Sequence, residues 1–143
     1  MLYENNFLKF ELIGDKDILL ITVLKASPTR GEFDNFLIQF SNIYEAFYKK
    51  KQHFSLVTDI QELGMVPLTY FNELKNFFLS RKEYTEMYLK CTSIITTNHT
   101  VKTIFNSFLT IYSTIKPVKF VNNIDESYEF INCIKIGERQ LIN

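Results

Sequence analysis

Residues 54–79, FSLVTDIQELGMVPLTYFNELKNFFL, decide the fold of this 143-residue chain. The first six residues are short, apolar and partly β-branched, which predicts a buried strand that ends at Asp59. Residues 68–79 carry apolar side chains at spacings of three and four, which predicts an amphipathic helix that begins near Thr69. In open α/β sheets such strand-to-helix junctions are where ligands and partners dock. We therefore expect the functional site here.

Upstream of this stretch, two apolar runs predict an antiparallel hairpin. Residues 7–13 alternate between apolar and polar side chains, residues 18–24 are nearly all apolar, and Gly14 to Asp17 separate the two runs. The second run suits a strand covered on both faces, near the middle of the sheet. Thr29 and Glu32 then form a capping box, which predicts a helix with one aromatic stripe. A single stripe of this kind faces a core.

Downstream, strands and helices alternate. Residues 89–96 and 118–121 predict strands, and Asn98 and Asn123 are the expected caps of the helices that follow them. The order is β-β-α-β-α-β-α-β-α, and alternation of this kind requires crossovers and parallel strands after the hairpin. We predict one α/β domain over residues 1–143, with a core of about residues 7–136 and a mixed sheet.

Charge and hydropathy restrict the binding partners and the cellular compartment that we expect for this protein. Lysines plus arginines number 16, as do aspartates plus glutamates, so no overall field attracts nucleic acid. Residues 1–11 carry acid where a secretory signal needs a basic start, and no apolar run approaches transmembrane length. We expect a cytoplasmic protein with no integral membrane segment and no nucleic acid partner.

Motifs for catalysis or cofactor binding are absent from the sequence. It holds no GxSxG elbow, and its two histidines, His53 and His99, have no recognisable nucleophile beside them. Its four glycines are scattered and make no phosphate-binding loop. No spacing of His, Cys, Asp and Glu suggests a metal site. We therefore expect no enzyme activity, no cofactor and no metal.

The element order resembles the STAS domains and their SpoIIAA-like relatives over about residues 7–136. The resemblance rests on the leading hairpin, the apolar strand that ends in Asp59, and a short last strand followed by the helix start Asn-Asn-Ile-Asp-Glu-Ser at 122–127. It implies non-enzymatic regulation: anti-sigma-factor antagonists of this family bind kinase partners and are switched by phosphorylation of a serine in an Asp-Ser pair at the start of a helix. The nearest match in this sequence is Leu68-Thr69, in which Leu replaces Asp.

Two interpretations of Thr69 follow. The hydroxyl either accepts a phosphate, which would add nearly two negative charges at a helix N-terminus, or it only caps its helix. With Thr69, we predict that Asp59, Met65 and Val66 form the surface that docks an as yet unidentified protein partner. Exposed apolar side chains at Met65 and Val66 could also serve a homodimer.

The aromatic content supports an alternative function. Several aromatic side chains fall on helices that should flank the sheet, and the topology is similar to that of lipid-transfer proteins of CRAL-TRIO type. That resemblance implies a small apolar ligand or lipid held between helices and sheet. The residues that would form such an apolar pocket are Phe71, Phe105, Phe108 and Tyr112.

Overall fold

The computed structural model describes residues 2–15, 17–109 and 116–142, except the side chains of residues 108–109 and 139–142. The strands are β1 (Tyr3–Glu4), β2 (Leu8–Ile13), β3 (Ile18–Val23), β4 (Phe54–Asp59), β5 (Leu89–Ile95) and β6 (Val118–Val121). The helices are α1 (Arg30–Lys50), α2 (Leu68–Ser80), α3 (Lys82–Tyr88), α4 (His99–Leu109) and α5 (Ile124–Ile142).

The strands form one six-stranded sheet in which spatial order follows chain order. β1, β2 and β3 are antiparallel neighbours, and β3 to β6 run parallel, as the sequence predicts. Gly14 has a φ of +67° in the β2–β3 turn, a conformation that favours glycine. The short strand β1, which the sequence pattern did not predict, pairs with the outer edge of β2. β3 and β4 lie in the middle of the sheet.

Different helices pack against the two faces of the sheet. The face that presents Leu56 packs against α1, α2, α3 and α4, and most of the buried apolar side chains lie there. The opposite face presents Val57 and packs against α5 through Ile131. Ser93 of β5 and Ser127 of α5 share a buried hydrogen bond of 2.6 Å on that face. Successive residues of β4 therefore serve two separate cores, as expected for a strand covered on both sides.

Helix α1 supplies the aromatic centre of the larger core. The predicted capping box is confirmed: the Glu32 amide donates to the Thr29 hydroxyl at 3.2 Å, and the Thr29 amide donates to the Glu32 carboxylate at 2.8 Å. One face of the helix is buried through Phe33, Phe36, Phe40, Tyr44 and Phe47. The Phe40 ring lies between the sheet and α2, with centroids 5.8 Å from Phe10 and 4.9 Å from Phe77. Phe40 thus joins three elements.

Truncation of Phe40 should therefore be costly. We expect Phe40→Ala to lower the free energy of unfolding by about 3–5 kcal/mol, because the change removes buried apolar area and leaves a cavity. Ile38→Ala on the same helix is the control, since Ile38 is 55% exposed. Urea denaturation followed by circular dichroism measures both. Equal losses in the two variants would contradict the central place given to Phe40.

Candidate functional site

The predicted site lies at the carboxyl ends of the parallel strands, in the loop of residues 60–67 that joins β4 to α2. Two backbone hydrogen bonds anchor this β4–α2 loop: Ile60 donates to the Ile95 carbonyl at 3.0 Å, and Gly64 donates to the Ala26 carbonyl at 2.7 Å. A Cβ on Gly64 would stand 3.0 Å from the Cβ of Ala26, which is too close for ordinary packing. Glycine is therefore needed for the loop to approach the β3–α1 connection.

Large apolar side chains project from the anchored loop and from the start of α2. Met65 is 82% exposed and Leu68 is 70% exposed, the highest values among the described large apolar residues. Val66, which was expected on the surface beside Met65, is half-buried and packs against the larger core. Val66 therefore presents less apolar surface than Met65, and its role in docking stays a prediction. Met65 and Leu68 are the apolar residues that this edge presents to a partner.

Asp59 is half-buried, and its carboxylate is already engaged. One oxygen accepts a hydrogen bond from the Gln61 amide at 3.1 Å, and the other accepts from the Gln61 side-chain amide at 3.3 Å. An aspartate whose carboxylate accepts a hydrogen bond from the backbone amide two residues later in the chain stabilises a turn. Asp59 therefore shapes the start of the loop, and a role in docking stays a prediction.

Thr69 does not cap α2, contrary to one of its two interpretations. Pro67 occupies the N-cap position, and no side chain caps the first turn. Thr69 is the second residue of the helix and is exposed. Elsewhere the predicted caps are confirmed: the side-chain oxygens of Asn98 and Asn123 accept amide hydrogen bonds from Val101 and Glu126, at 3.2 and 2.9 Å. The Thr69 hydroxyl is thus exposed beside a helix N-terminus without a capping role.

An arginine joins the start of α1 to the first two turns of α2. The Arg30 guanidinium donates to the Glu73 carboxylate at 2.7 Å and to the Asp34 carboxylate at 2.6 Å. It also lies over the Tyr70 ring, 5.0 Å from its centroid, and that ring stacks on Phe33 at 4.5 Å. The hydrogen bonds from Arg30 hold the pKa of Glu73 below its usual range. We call this arrangement the Arg30 bridge.

Beneath α2 lies an apolar cavity of about 120 Å³. Its walls come from four helices and its floor from the sheet; lining residues include Phe36 of α1, Tyr70, Phe71 and Leu74 of α2, Thr85 of α3, Phe105 of α4, and Ile94 of β5. Phe71 and Phe105, both predicted as pocket residues, meet edge to face with centroids 5.3 Å apart. The side chain of Phe108 and the whole of Tyr112, the other two, lie outside the described residues.

Four polar lining residues were not foreseen from the sequence: Thr58, Thr85, Thr92 and Lys116. Thr58 and Thr92 face the cavity from β4 and β5, and both are partly exposed although these strands lie inside the sheet. Solvent therefore reaches the middle of the sheet through the cavity. The signal was present in the sequence, because Thr58 shares a strand face with Phe54 and Leu56 at a spacing of two. A polar residue at an inward position of an apolar strand marks such a place.

Chemistry elsewhere in the described chain is limited. No group of three or more His, Cys, Asp and Glu side chains among the described residues could hold a metal ion. Burial raises the pKa of the Cys91 thiol and that of the Tyr44 phenol, which keeps both groups neutral near pH 7. Within residues 2–15, 17–109 and 116–142, no helix has the length and hydropathy needed to cross a bilayer.

Comparison with known proteins identifies the fold. No family model and no curated protein matches the chain. A solved structure does match: an uncharacterized protein of the DUF3478 family with a SpoIIAA-like fold, from Shewanella loihica PV-4. The two share 13% sequence identity over 91% of this chain and 98% of the other, with a TM-score of 0.65. The fold of this chain is SpoIIAA-like. The predicted resemblance to STAS and SpoIIAA-like domains is therefore confirmed at the level of fold.

The capping assignments at the two threonines can be tested as a pair. Thr29→Ala should lower the free energy of unfolding by about 1 kcal/mol, because the Glu32 amide loses its hydrogen-bond acceptor. Thr69→Ala should change it by less than about 0.5 kcal/mol, as at other surface positions. Chemical denaturation measures both. A loss at Thr69 as large as that at Thr29 would show that Thr69 is the cap of α2 after all.

Proposed function

We propose that this SpoIIAA-like chain is a non-catalytic regulatory module of the cytoplasm that binds a protein partner. Its docking surface comprises the β4–α2 loop (residues 60–67) together with Leu68 and Thr69. The observation that carries the proposal is the exposure of Met65 and Leu68, 82% and 70%, on a loop that backbone hydrogen bonds hold in place.

Because the backbone of this loop is already held in place, the surface is well suited to binding. Association costs free energy wherever side chains and loops must be ordered, and a preformed backbone reduces that cost. The tie between Gly64 and Ala26 supplies the preformed backbone. Exposed Gln61, Glu62 and Thr69 surround the two apolar side chains. An apolar centre with a polar rim is the usual anatomy of a protein interface.

The absence of catalysis is proposed from the placement of the perturbed groups. Among the described residues, those with a shifted pKa lie in the core, as do Tyr44 and Cys91, or in surface ion pairs and caps, as do Glu32 and Glu73. Catalytic sites bring such groups together in a cleft with a nucleophile. The docking surface has no grouping of this kind among its residues.

Phosphorylation of Thr69 would provide regulation at the same surface. The hydroxyl is exposed and does not cap the helix, and a phosphate there would meet the positive end of the α2 dipole. Glu73 lies four residues further on, so it falls on the same side of the helix. A phosphate on Thr69 would compete with Glu73 for Arg30 and would add charge beside Leu68. Both effects would change how a partner meets the surface.

Photo-crosslinking tests the docking surface directly. A benzoylphenylalanine introduced at Met65 should crosslink a protein partner in cells, whereas the same group at Met87, which is 47% exposed on α3, should not. Leu68→Asp should then weaken binding of the captured partner by about 30-fold, the loss expected for an interface hot spot. Titration calorimetry with the purified partner measures that loss.

Thr69→Glu should weaken the same binding while leaving the melting temperature within about 2 °C, since a surface substitution changes stability little. Capture of the same partner from Met65 and Met87 alike would overturn the assignment of the surface. A crosslink from Met65 to a second copy of the chain would show that the surface serves a homodimer.

A second candidate function is the binding of a small apolar ligand, and the observation that favours it is the cavity beneath α2. Native mass spectrometry of gently purified protein, with a denatured control, provides the test. We expect a mass excess that disappears on denaturation and that is reduced in Leu74→Trp, which would fill the cavity. A mass equal to that of the chain alone in protein supplied with octanoate would contradict this function.

A further inference from the structure

We propose that the cavity beneath α2 is a binding site for a single-chain carboxylate amphiphile, with the carboxylate at Lys116 and Thr92 and the apolar chain among the aromatic rings. The inference rests on the second candidate function and adds the ligand class and its polar contacts. It is drawn from the cavity and its lining, which shares Ile60, Leu63 and Val66 with the protein docking surface.

Helix α2 stands off the sheet, which creates the space. Its inward side chains Tyr70, Phe71 and Leu74 all line the cavity and stay half-buried, whereas Phe77 is the buried residue of the helix. Apolar side chains that face inward yet keep partial exposure have room for another apolar group between them and the sheet.

One end of the cavity carries an amine. Lys116 is the charged residue among the described lining residues, and it forms no ion pair with any described residue. It is half-buried. Lys90 and Lys135, which are also half-buried, are each paired with a carboxylate at about 3 Å. A half-buried lysine beside an apolar cavity, without such a partner among the described residues, favours an anionic ligand group.

A hydroxyl lies at the same end. The Thr92 amide donates to the carbonyl of Pro117, the residue next to Lys116, at 2.9 Å, so the chain brings Lys116 to the Thr92 end of the floor. The Thr92 hydroxyl makes no hydrogen bond to the described residues, although it faces the cavity. An ammonium and a hydroxyl that both lack partners among the described residues match the two oxygens of a carboxylate.

The volume of the cavity limits the ligand to one aliphatic chain. An apolar cavity of about 150 Å³ accepts one benzene molecule. At about 120 Å³, this one has room for part of a single aliphatic chain, with the carboxylate end outside it at Lys116, and none for two acyl chains. The rings of Phe36, Phe71 and Phe105 supply the apolar surface that such a body would cover. Octanoate is the probe of choice, and 1-octanol is its uncharged counterpart.

Titration calorimetry on the full chain tests the assignment. Octanoate should bind wild-type protein more tightly than 1-octanol. Lys116→Met should weaken octanoate by about tenfold, the loss expected for one hydrogen bond to a charged group, and should leave 1-octanol unchanged. Lys119→Met is the matched control, because Lys119 belongs to β6 but lies over Phe130 on the α5 side of the sheet. It should leave both affinities unchanged.

Leu74→Trp should abolish binding of both probes by filling the cavity, whereas Leu79→Trp, at a 43% exposed position of the same helix, should not. If Leu74→Trp fails to fold, Val66→Phe fills the other end of the space. Equal binding of octanoate and 1-octanol, with no effect of Lys116→Met, would overturn the carboxylate assignment and leave the apolar site standing. No binding of either probe to wild type would overturn both. Tighter binding of dioctanoyl phosphatidate than of octanoate would overturn the single-chain class.

Discussion

The packing of the aromatic face of α1 against the sheet is the constraint on which the rest of this structure depends. Phe36 and Phe40 reach the Phe10 ring of β2, and Tyr44 and Phe47 reach Phe54 of β4. These contacts fix one helix across three neighbouring strands, because β3 lies between β2 and β4. Rings of this size bury far more area than aliphatic side chains. The position of α1 in turn determines where the shorter helices can lie.

Helix α2 contacts α1 at two places, through different kinds of interaction. Phe77 packs on Phe40 in the core, whereas the first turn is held by the Arg30 bridge, whose charges are largely exposed. Exposed ion pairs contribute little, so the stacking of Tyr70 on the buried Phe33 ring is the stronger part of this attachment. The cavity lies beneath α2. Solvent reaches this cavity, and an apolar occupant would remove apolar surface from water.

Local signals in the sequence were sufficient for the elements other than β1 and α3, and for three of the caps. Thr29, Asn98 and Asn123 act within four residues of their partners, so short-range pattern reading finds them. The interpretation of Thr69 as a cap failed because the cap position depends on how the preceding loop enters the helix. Pro67 occupies that position. Alternation of strands and helices was sufficient for the parallel sheet, and the hairpin for its antiparallel edge.

The parts of the site that the sequence did not reveal depend on contacts between distant residues. The path of the β4–α2 loop depends on the bond from Gly64 to Ala26, far away in the chain, and Val66 in that loop is partly buried. The cavity is a gap between elements. Sequence periodicity shows which side chains each element buries, but it does not show where space is left between the elements. Thr58 and Thr92 were the available clues, since each interrupts an apolar strand face. Lys116 gave no local sign, because its position follows from the pairing of β6 with β5.

The two outermost strands restrict how this molecule can associate. β1 has two residues and β6 has four, and β6 carries Lys119. Long, flat outer strands offer unpaired amide and carbonyl groups that recruit further strands, from partner peptides or from other copies of the same chain. Here that template is at most a few residues long at either side. Growth by strand addition, whether in recognition or in aggregation, therefore has little backbone to begin from, and contacts between side chains must supply the affinity instead.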